Sequence, residues 1–166
     1  RNFCAIIYRS VPIEHKFRGR KEDDFMYSAL DVARYIIRYC EEKKYIVSNL
    51  KLQKILYFIQ AKFLVEKNTP CFSEKIEAWT FGPVIPEVYQ QYKIFGNAHI
   101  PCVDVQDDFK ISEQDKALID NMIDKCSKFT ASQLGEITHR QTPWKKAYKS
   151  YQNNEITQFS IKEFFS

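Results

Sequence analysis

The sequence predicts a mainly α fold: a compact domain of about six helices, with one small β element around residues 75–81. Apolar residues recur at spacings of three and four along most of the chain, which is the helical period. Capping residues precede several of these runs, and proline and glycine interrupt the chain at only a few places. With 166 residues and 45% hydrophobic content, the chain suits one domain with a real core.

The first two helices are predicted from their caps and their apolar stripes. Ser28, with Asp31 three residues later, has the form of a capped helix start. Ser48 or Asn49 can cap a second helix, which we expect to end near residues 68–70. The stripes that follow these caps consist of Ala29, Val32, Ala33, Ile36, Ile37 and Cys40 in the first helix, and Leu52, Ile55, Leu56, Ile59 and Phe63 in the second.

The middle of the chain changes character. The helical period fades before residues 76–81, which alternate as a short strand does. Gly82 and Pro83 predict a rigid turn, because glycine allows unusual backbone angles and the ring of the following proline fixes its own φ angle. Pro86 suits the first turn of a third helix, and Gly96 can end that helix in a left-handed conformation.

The C-terminal third is predicted to be helical after a loop over residues 100–109. Residue pairs of the capping type precede each further apolar run. They open a fourth, a fifth and a sixth helix and a last turn: Ser112 with Asp115, Thr130 with Gln133, Thr142 with Pro143, and Ser160 with Glu163.

Charge and cysteine content limit the classes of function. The net charge of +4 comes from 25 basic and 21 acidic residues and is not concentrated in one basic run, which argues against a nucleic-acid partner. The five cysteines are odd in number and form no CxxC pair, as in reduced cytoplasmic proteins. No apolar run is long enough to cross a bilayer and no signal-peptide pattern is present, so we expect a cytoplasmic protein without a membrane partner.

Three motifs stand in fixed order along the chain: Ser48–Phe58, Ile76–Val84 and Thr138–Trp144. Together they resemble the Panacea domain, a family first catalogued among phage-associated proteins and known as a promiscuous antitoxin domain. The resemblance makes residues 26–166 a Panacea-like helical domain. Residues 1–25 are then a family-atypical N-terminal extension, non-native or translated from upstream sequence, although its apolar residues 3–8 also suit a short strand or packing on the domain.

The resemblance implies an antitoxin that binds a cognate toxin encoded beside it and neutralises the toxin by covering its active surface. Relatives are paired with toxins of unrelated kinds, so the resemblance names no particular toxin. At least one relative is a proteolytic adaptor that delivers its toxin to a protease, which makes a protease the alternative partner. A small hydrolase and a nucleic-acid-binding phage protein are the remaining alternatives.

All three motifs contribute candidate partner-binding residues. Those in the first motif lie beside the apolar stripe of the second helix, and they form either a contact surface or a solvated face with a half-buried tyrosine. Those in the second motif form either a structural turn or a rigid contact loop. The full set is Gln53, Lys54, Tyr57, Trp79, Phe81, Gly82, Pro83, His139 and Trp144.

His139 invites a second interpretation, as a catalytic base with Cys126 or Thr138 as the nucleophile. The sequence supplies no third group to orient such a base. A histidine at a helix end more commonly pairs with backbone groups, and Trp144 is expected in the core with its indole N–H paired. We therefore predict no catalytic constellation, no cofactor and no metal site, and a protein that is not an enzyme.

Overall fold

The computed structural model describes residues 26–103 and 109–166, and the predicted extension over residues 1–25 and half of the predicted 100–109 loop lie outside that part. The described residues form a mainly α fold with a small antiparallel sheet, which confirms the predicted fold class. The helices are α1 (Ala29–Lys43), α2 (Asn49–Glu66), α3 (Pro86–Tyr92), α4 (Glu113–Ser127), α5 (Ala131–His139), α6 (Thr142–Ala147) and α7 (Gln158–Phe165), and the strands are β1 (Ile76–Trp79), β2 (Gly82–Val84) and β3 (Glu155–Ile156).

Most helices begin at the predicted capping residues. The side chains of Ser28, Ser48, Ser112 and Thr130 each accept a hydrogen bond from a first-turn backbone N–H. Two predicted starts are wrong. Thr157 rather than Ser160 caps α7, because the Thr157 hydroxyl accepts from the Ser160 N–H at 3.1 Å and Ser160 is already helical. At α6 the extended residue is Gln141, so Thr142 lies inside the helix.

Helix α2 is the centre of the fold. It packs against α1, α4, α5, α7 and β2, and 14 of its 18 residues are buried. The prediction of an amphipathic helix with one solvated face is therefore wrong, because neighbouring elements cover α2 on all sides. None of the helices in the described ranges is both long and apolar enough to span a membrane.

The polar side chains of α2 are buried together with its apolar ones and pair with backbone groups of irregular segments. The Gln60 side-chain amide donates to the carbonyl of Phe72 at 2.8 Å and accepts from the N–H of Cys71 at 2.8 Å. Buried backbone groups need such partners, since leaving one unpaired costs on the order of 1–3 kcal/mol. Helix α2 thus fixes the path of the chain that follows it.

The small sheet has the strand order β2-β1-β3 and is antiparallel throughout. Trp79 lies opposite Gly82, so Thr80 and Phe81 form a two-residue turn. This corrects the prediction of a turn at Gly82 and Pro83, which instead begin β2. The third helix continues as a 3₁₀ turn over Lys93–Phe95, and Gly96 follows with φ +55° as predicted but with ψ −126°, outside the left-handed helical region.

A row of tyrosine–aspartate hydrogen bonds joins α1 to α4. The Tyr35 hydroxyl donates to Asp120 at 2.6 Å, and the hydroxyls of Tyr39 and Tyr45 both donate to Asp124 at 3.0 Å. Burial, followed by the hydrogen bond to Asp120, raises the pKa of Tyr35. The Tyr35 phenol therefore stays protonated and serves as a donor to the half-buried carboxylate of Asp120.

We expect Asp124→Ala to lower the free energy of unfolding by about 2 kcal/mol, because it leaves two half-buried phenols without their acceptor. Asp124→Asn keeps one acceptor oxygen and should lose less than half of that amount. Urea unfolding of the three proteins measures the difference. The control is Glu113→Ala on the same helix, at an exposed carboxylate whose loss should change stability by less than about 0.5 kcal/mol; equal losses for Asp124→Ala and this control would contradict the prediction.

Candidate partner-binding site

The three sequence motifs meet at one buried cluster, which we call the motif junction: Lys54 of α2, Gly82 and Pro83 of β2, and Thr138 of α5. Lys54 has no solvent-exposed surface, and its Nζ donates to the carbonyl of Pro83 at 3.0 Å. No carboxylate within residues 26–103 and 109–166 forms an ion pair with this ammonium group. Burial accordingly lowers the pKa of Lys54 to about 7.

Gly82 allows the close approach of the other junction residues. A Cβ atom at this position would lie 2.6 Å from Lys54 Cε and 2.7 Å from Thr138 Oγ1. Its φ of +112° is also a backbone conformation that side-chain-bearing residues rarely adopt. The sequence indicated an unusual backbone at Gly82, but the contact with two other motifs was not visible in it.

Gln53 and Tyr57 belong to the same buried network. Gln53 Oε1 accepts from the backbone N–H of Ile85 at 2.9 Å, and the Tyr57 hydroxyl donates to Gln141 Oε1 at 2.9 Å. With Lys54 they join α2 to the hairpin and to the start of α6. All three side chains are fully buried, so the alternative of a solvated face with a half-buried tyrosine is wrong. A partner-binding role for these three residues stays a prediction.

The remaining motif residues form an aromatic cluster beside the junction. The indole N–H of Trp144 donates to the carbonyl of Trp79 at 2.9 Å, so the expectation that this N–H is paired is confirmed. The Trp144 ring stacks on Tyr148, with centroids 4.4 Å apart, and lies 4.2 Å from the His139 ring. Trp79 in turn packs edge-on against Tyr89 at 4.9 Å. All five rings are half-buried, so the cluster keeps a solvent-facing side.

His139 is the last residue of α5 and hydrogen-bonds the backbone of Thr80. Its Nε2 atom is buried and makes no hydrogen bond to the part of the chain that the structure describes. Burial lowers the pKa of His139, and the charge of Lys54 lowers it further. The backbone pairing expected for this histidine is thus present, although it is made to the hairpin turn rather than to a helix cap.

Two exposed aromatic residues lie near the cluster along the chain. Phe81, at the tip of the hairpin, is 70% exposed, and Tyr151 is fully exposed. Tyr151 follows Trp144 and Tyr148 in a segment with Lys145, Lys146 and Lys149 that the sequence reasoning did not select. The available signal was the run from residue 140 to residue 154, which contains four basic residues and no acidic one.

Comparison with known proteins identifies the family. A family model described as "Antitoxin SocA-like, Panacea domain" matches residues 52–145, more than half of the chain. The chain belongs to the Panacea family. The Panacea match includes every residue of the motif junction and ends within α6, at Lys145.

One curated relative shares part of the Panacea region. Antitoxin SocA of Caulobacter vibrioides (strain NA1000 / CB15N) is 48% identical to this chain over 54 residues. The aligned part covers 32% of this chain and 29% of the relative, so the chain spans less than a third of that protein. No solved structure matches this Panacea chain.

Proposed function

We propose that this Panacea protein is the antitoxin of a toxin–antitoxin pair and that it neutralises its toxin by direct protein contact. Family membership carries the proposal, since the matching model describes a SocA-like antitoxin domain and the curated relative is named an antitoxin. The proposal describes a binding protein in the cytoplasm rather than an enzyme, with a toxin as its partner.

The half-buried aromatic cluster supports a role in contact. Trp and Tyr side chains are enriched where binding energy is concentrated, because each ring contributes a large contact area at low conformational cost. Here the rings of Trp144 and Tyr148 are already stacked, and the Trp144 indole N–H is already paired. Binding through this surface requires little further ordering.

The test is growth rescue. The protein encoded next to this gene is expressed in bacteria with and without this chain, and the pair is purified through a tag on one partner. We expect the neighbouring protein to arrest growth, this chain to restore growth, and the two proteins to copurify in a stable complex.

The abundance of the toxin distinguishes occlusion from delivery to a protease. Occlusion predicts that a rescued cell keeps its toxin, because the complex is stable. If growth is restored while the toxin level falls in a protease-dependent way, the protein acts as a proteolytic adaptor and not by occlusion. An arrested culture that this chain does not rescue would contradict the antitoxin proposal.

A further inference from the structure

We propose that the surface around α6 binds an acidic segment of the partner protein that also carries apolar or aromatic side chains. This inference rests on the proposed function and names the contact surface for it. We call the surface the basic–aromatic face; it consists of the cations Arg140, Lys145, Lys146 and Lys149 and the rings Phe81, Trp144, Tyr148 and Tyr151.

The charge of this face is the first argument. The four cations account for a charge of +4, which equals the formal net charge of the whole chain, so the rest of the chain is neutral in sum. All four are exposed, and none of them forms an ion pair with a carboxylate in the described ranges. An exposed patch of one sign steers and orients a partner segment of the opposite sign.

Carboxylates of neighbouring elements do not neutralise the patch. Glu155 of β3 pairs with Lys75 at 3.7 Å, and Glu77 of β1 accepts from the indole N–H of Trp79 at 2.7 Å. Glu136 of α5 acts on His139, which is not one of the four cations. None of these carboxylates forms an ion pair with one of the four cations, so each cation can pair with a carboxylate of a partner.

The aromatic part of the face is held in place before any partner arrives. The Tyr148 ring is nearly parallel to that of Trp144, with an angle of 14°. The Trp144 indole N–H donates to the carbonyl of Trp79, which ties the hairpin that carries Phe81 to α6. A rigid pair of rings, with exposed rings at Phe81 on the hairpin and at Tyr151 three residues after Tyr148, is suited to receive apolar side chains of a bound segment.

Tyr151 is the most exposed ring of this face, and its backbone conformation is unusual. Its φ of +62° is an unfavourable conformation for a residue with a bulky side chain, and the tight turn is closed by the Gln152 N–H donating to the Lys149 carbonyl at 3.1 Å. The Tyr151 side chain contacts no described residue that would compensate for this conformation, since its exposure is 107% of the reference value. Backbone conformations of this kind concentrate at binding sites.

Nucleic acid is the competing ligand class, because basic and aromatic side chains together also bind single strands. The structure favours an acidic protein segment. The cations lie within ten residues of the chain, from the end of α5 through α6 to the turn after it. The remaining 21 basic residues are balanced by 21 acidic ones that would repel a longer phosphate backbone.

The test uses charge reversal with a matched control. Random 12-residue peptides displayed on phage are selected against the full chain, and their affinities are measured for the wild type, for K145E/K146E and for K110E/K128E. Both variants lower the net charge equally at exposed lysines. We expect acidic peptides to be enriched and to bind K145E/K146E at least about tenfold more weakly, with a change under about twofold for the control.

The aromatic part is tested with the same peptides. Tyr151→Ser and Phe81→Ser should each weaken binding by about tenfold, whereas Phe159→Ser, at a ring on α7 that is 75% exposed, should not. Thermal unfolding followed by circular dichroism confirms that each variant is folded.

Three kinds of result would contradict the proposal or the antitoxin function, and they can be told apart. Enrichment of neutral or basic peptides, or equal binding by K145E/K146E and its control, would overturn the proposal. A labelled 20-nucleotide single strand that binds more tightly than any peptide and is lost in K145E/K146E would assign the face to nucleic acid. If K145E/K146E rescues growth as well as the wild type does, the antitoxin function stands but the basic–aromatic face is not the contact surface. If the wild type does not rescue growth, the antitoxin function is contradicted, and the peptide affinities alone decide whether the face binds acidic segments.

Discussion

Gly82→Ala is expected to lower the free energy of unfolding by about 4 kcal/mol, the largest effect that we expect at the glycines in the described part of the chain. The added Cβ meets Lys54 Cε at 2.6 Å and Thr138 Oγ1 at 2.7 Å, and both side chains are fully buried. Neither has space to retreat, because the core surrounds them on all sides. The φ of +112° adds backbone strain to the collision. Urea unfolding measures the loss.

Gly96→Ala separates these two causes. Gly96 also has positive φ, at +55°, but a Cβ atom there would meet nothing within 4 Å. This variant should therefore show only the backbone cost, about 1–2 kcal/mol. Equal losses in the two variants would mean that the junction yields to an extra methyl group and that its close packing does not contribute to stability.

Replacing Lys54 with Met is expected to raise the free energy of unfolding by about 2 kcal/mol at pH 7. The wild-type ammonium is buried without a carboxylate partner within the described residues, and its pKa falls from 10.5 to about 7. A pKa difference of one unit corresponds to about 1.4 kcal/mol, so the cost of burial exceeds the hydrogen bond to Pro83 that Met cannot make.

The same pKa shift fixes the sign of the pH dependence. Between pH 7 and pH 10.5 the unfolded chain holds the Lys54 proton and the folded chain releases it, so the contribution of Lys54 to stability rises with pH. From pH 6 to pH 9 this contribution should gain about 3 kcal/mol. The stability advantage of Lys54→Met over the wild type should therefore fall by that amount and vanish or reverse near pH 9, as measured by urea unfolding at each pH.

Lys62→Met is the control for the missing counter-ion. Lys62 is also a buried lysine of α2, but it forms an ion pair with Glu66. Its replacement should not stabilise the protein at pH 7, because the half-buried Glu66 then loses its partner. A difference between Lys54→Met and the wild type that does not vary with pH would show that the Lys54 ammonium is solvated in the native state.

Local features were predictable from the sequence, and non-local ones were not. The caps at Ser28, Ser48, Ser112 and Thr130 depend on neighbours three residues away, and all were found. The strand at residues 76–79 followed from simple alternation.

The error at α2 has a specific physical origin. A solvated face was one of the two predictions for Gln53 and Lys54, because polar side chains usually remain in water. The structure buries both of them, and Gln60 as well. Their partners are backbone groups 11 to 32 residues away, which supply the hydrogen bonds that burial requires. Neither composition nor periodicity shows which distant carbonyl will meet a given side chain, so the motif junction became visible only in three dimensions.

Because the motif junction is buried and the side chains of the basic–aromatic face are exposed, the binding surface can change in sequence without changing the fold. The junction sets the architecture from within, and it lies inside the stretch matched by the family model, whereas Lys146, Lys149 and Tyr151 lie beyond its end and are exposed. Substitutions at those exposed positions change stability little. We therefore expect that exchanging residues 146–151 between relatives changes which toxin is bound while the scaffold stays the same. This segment is the place to engineer a new toxin–antitoxin pair.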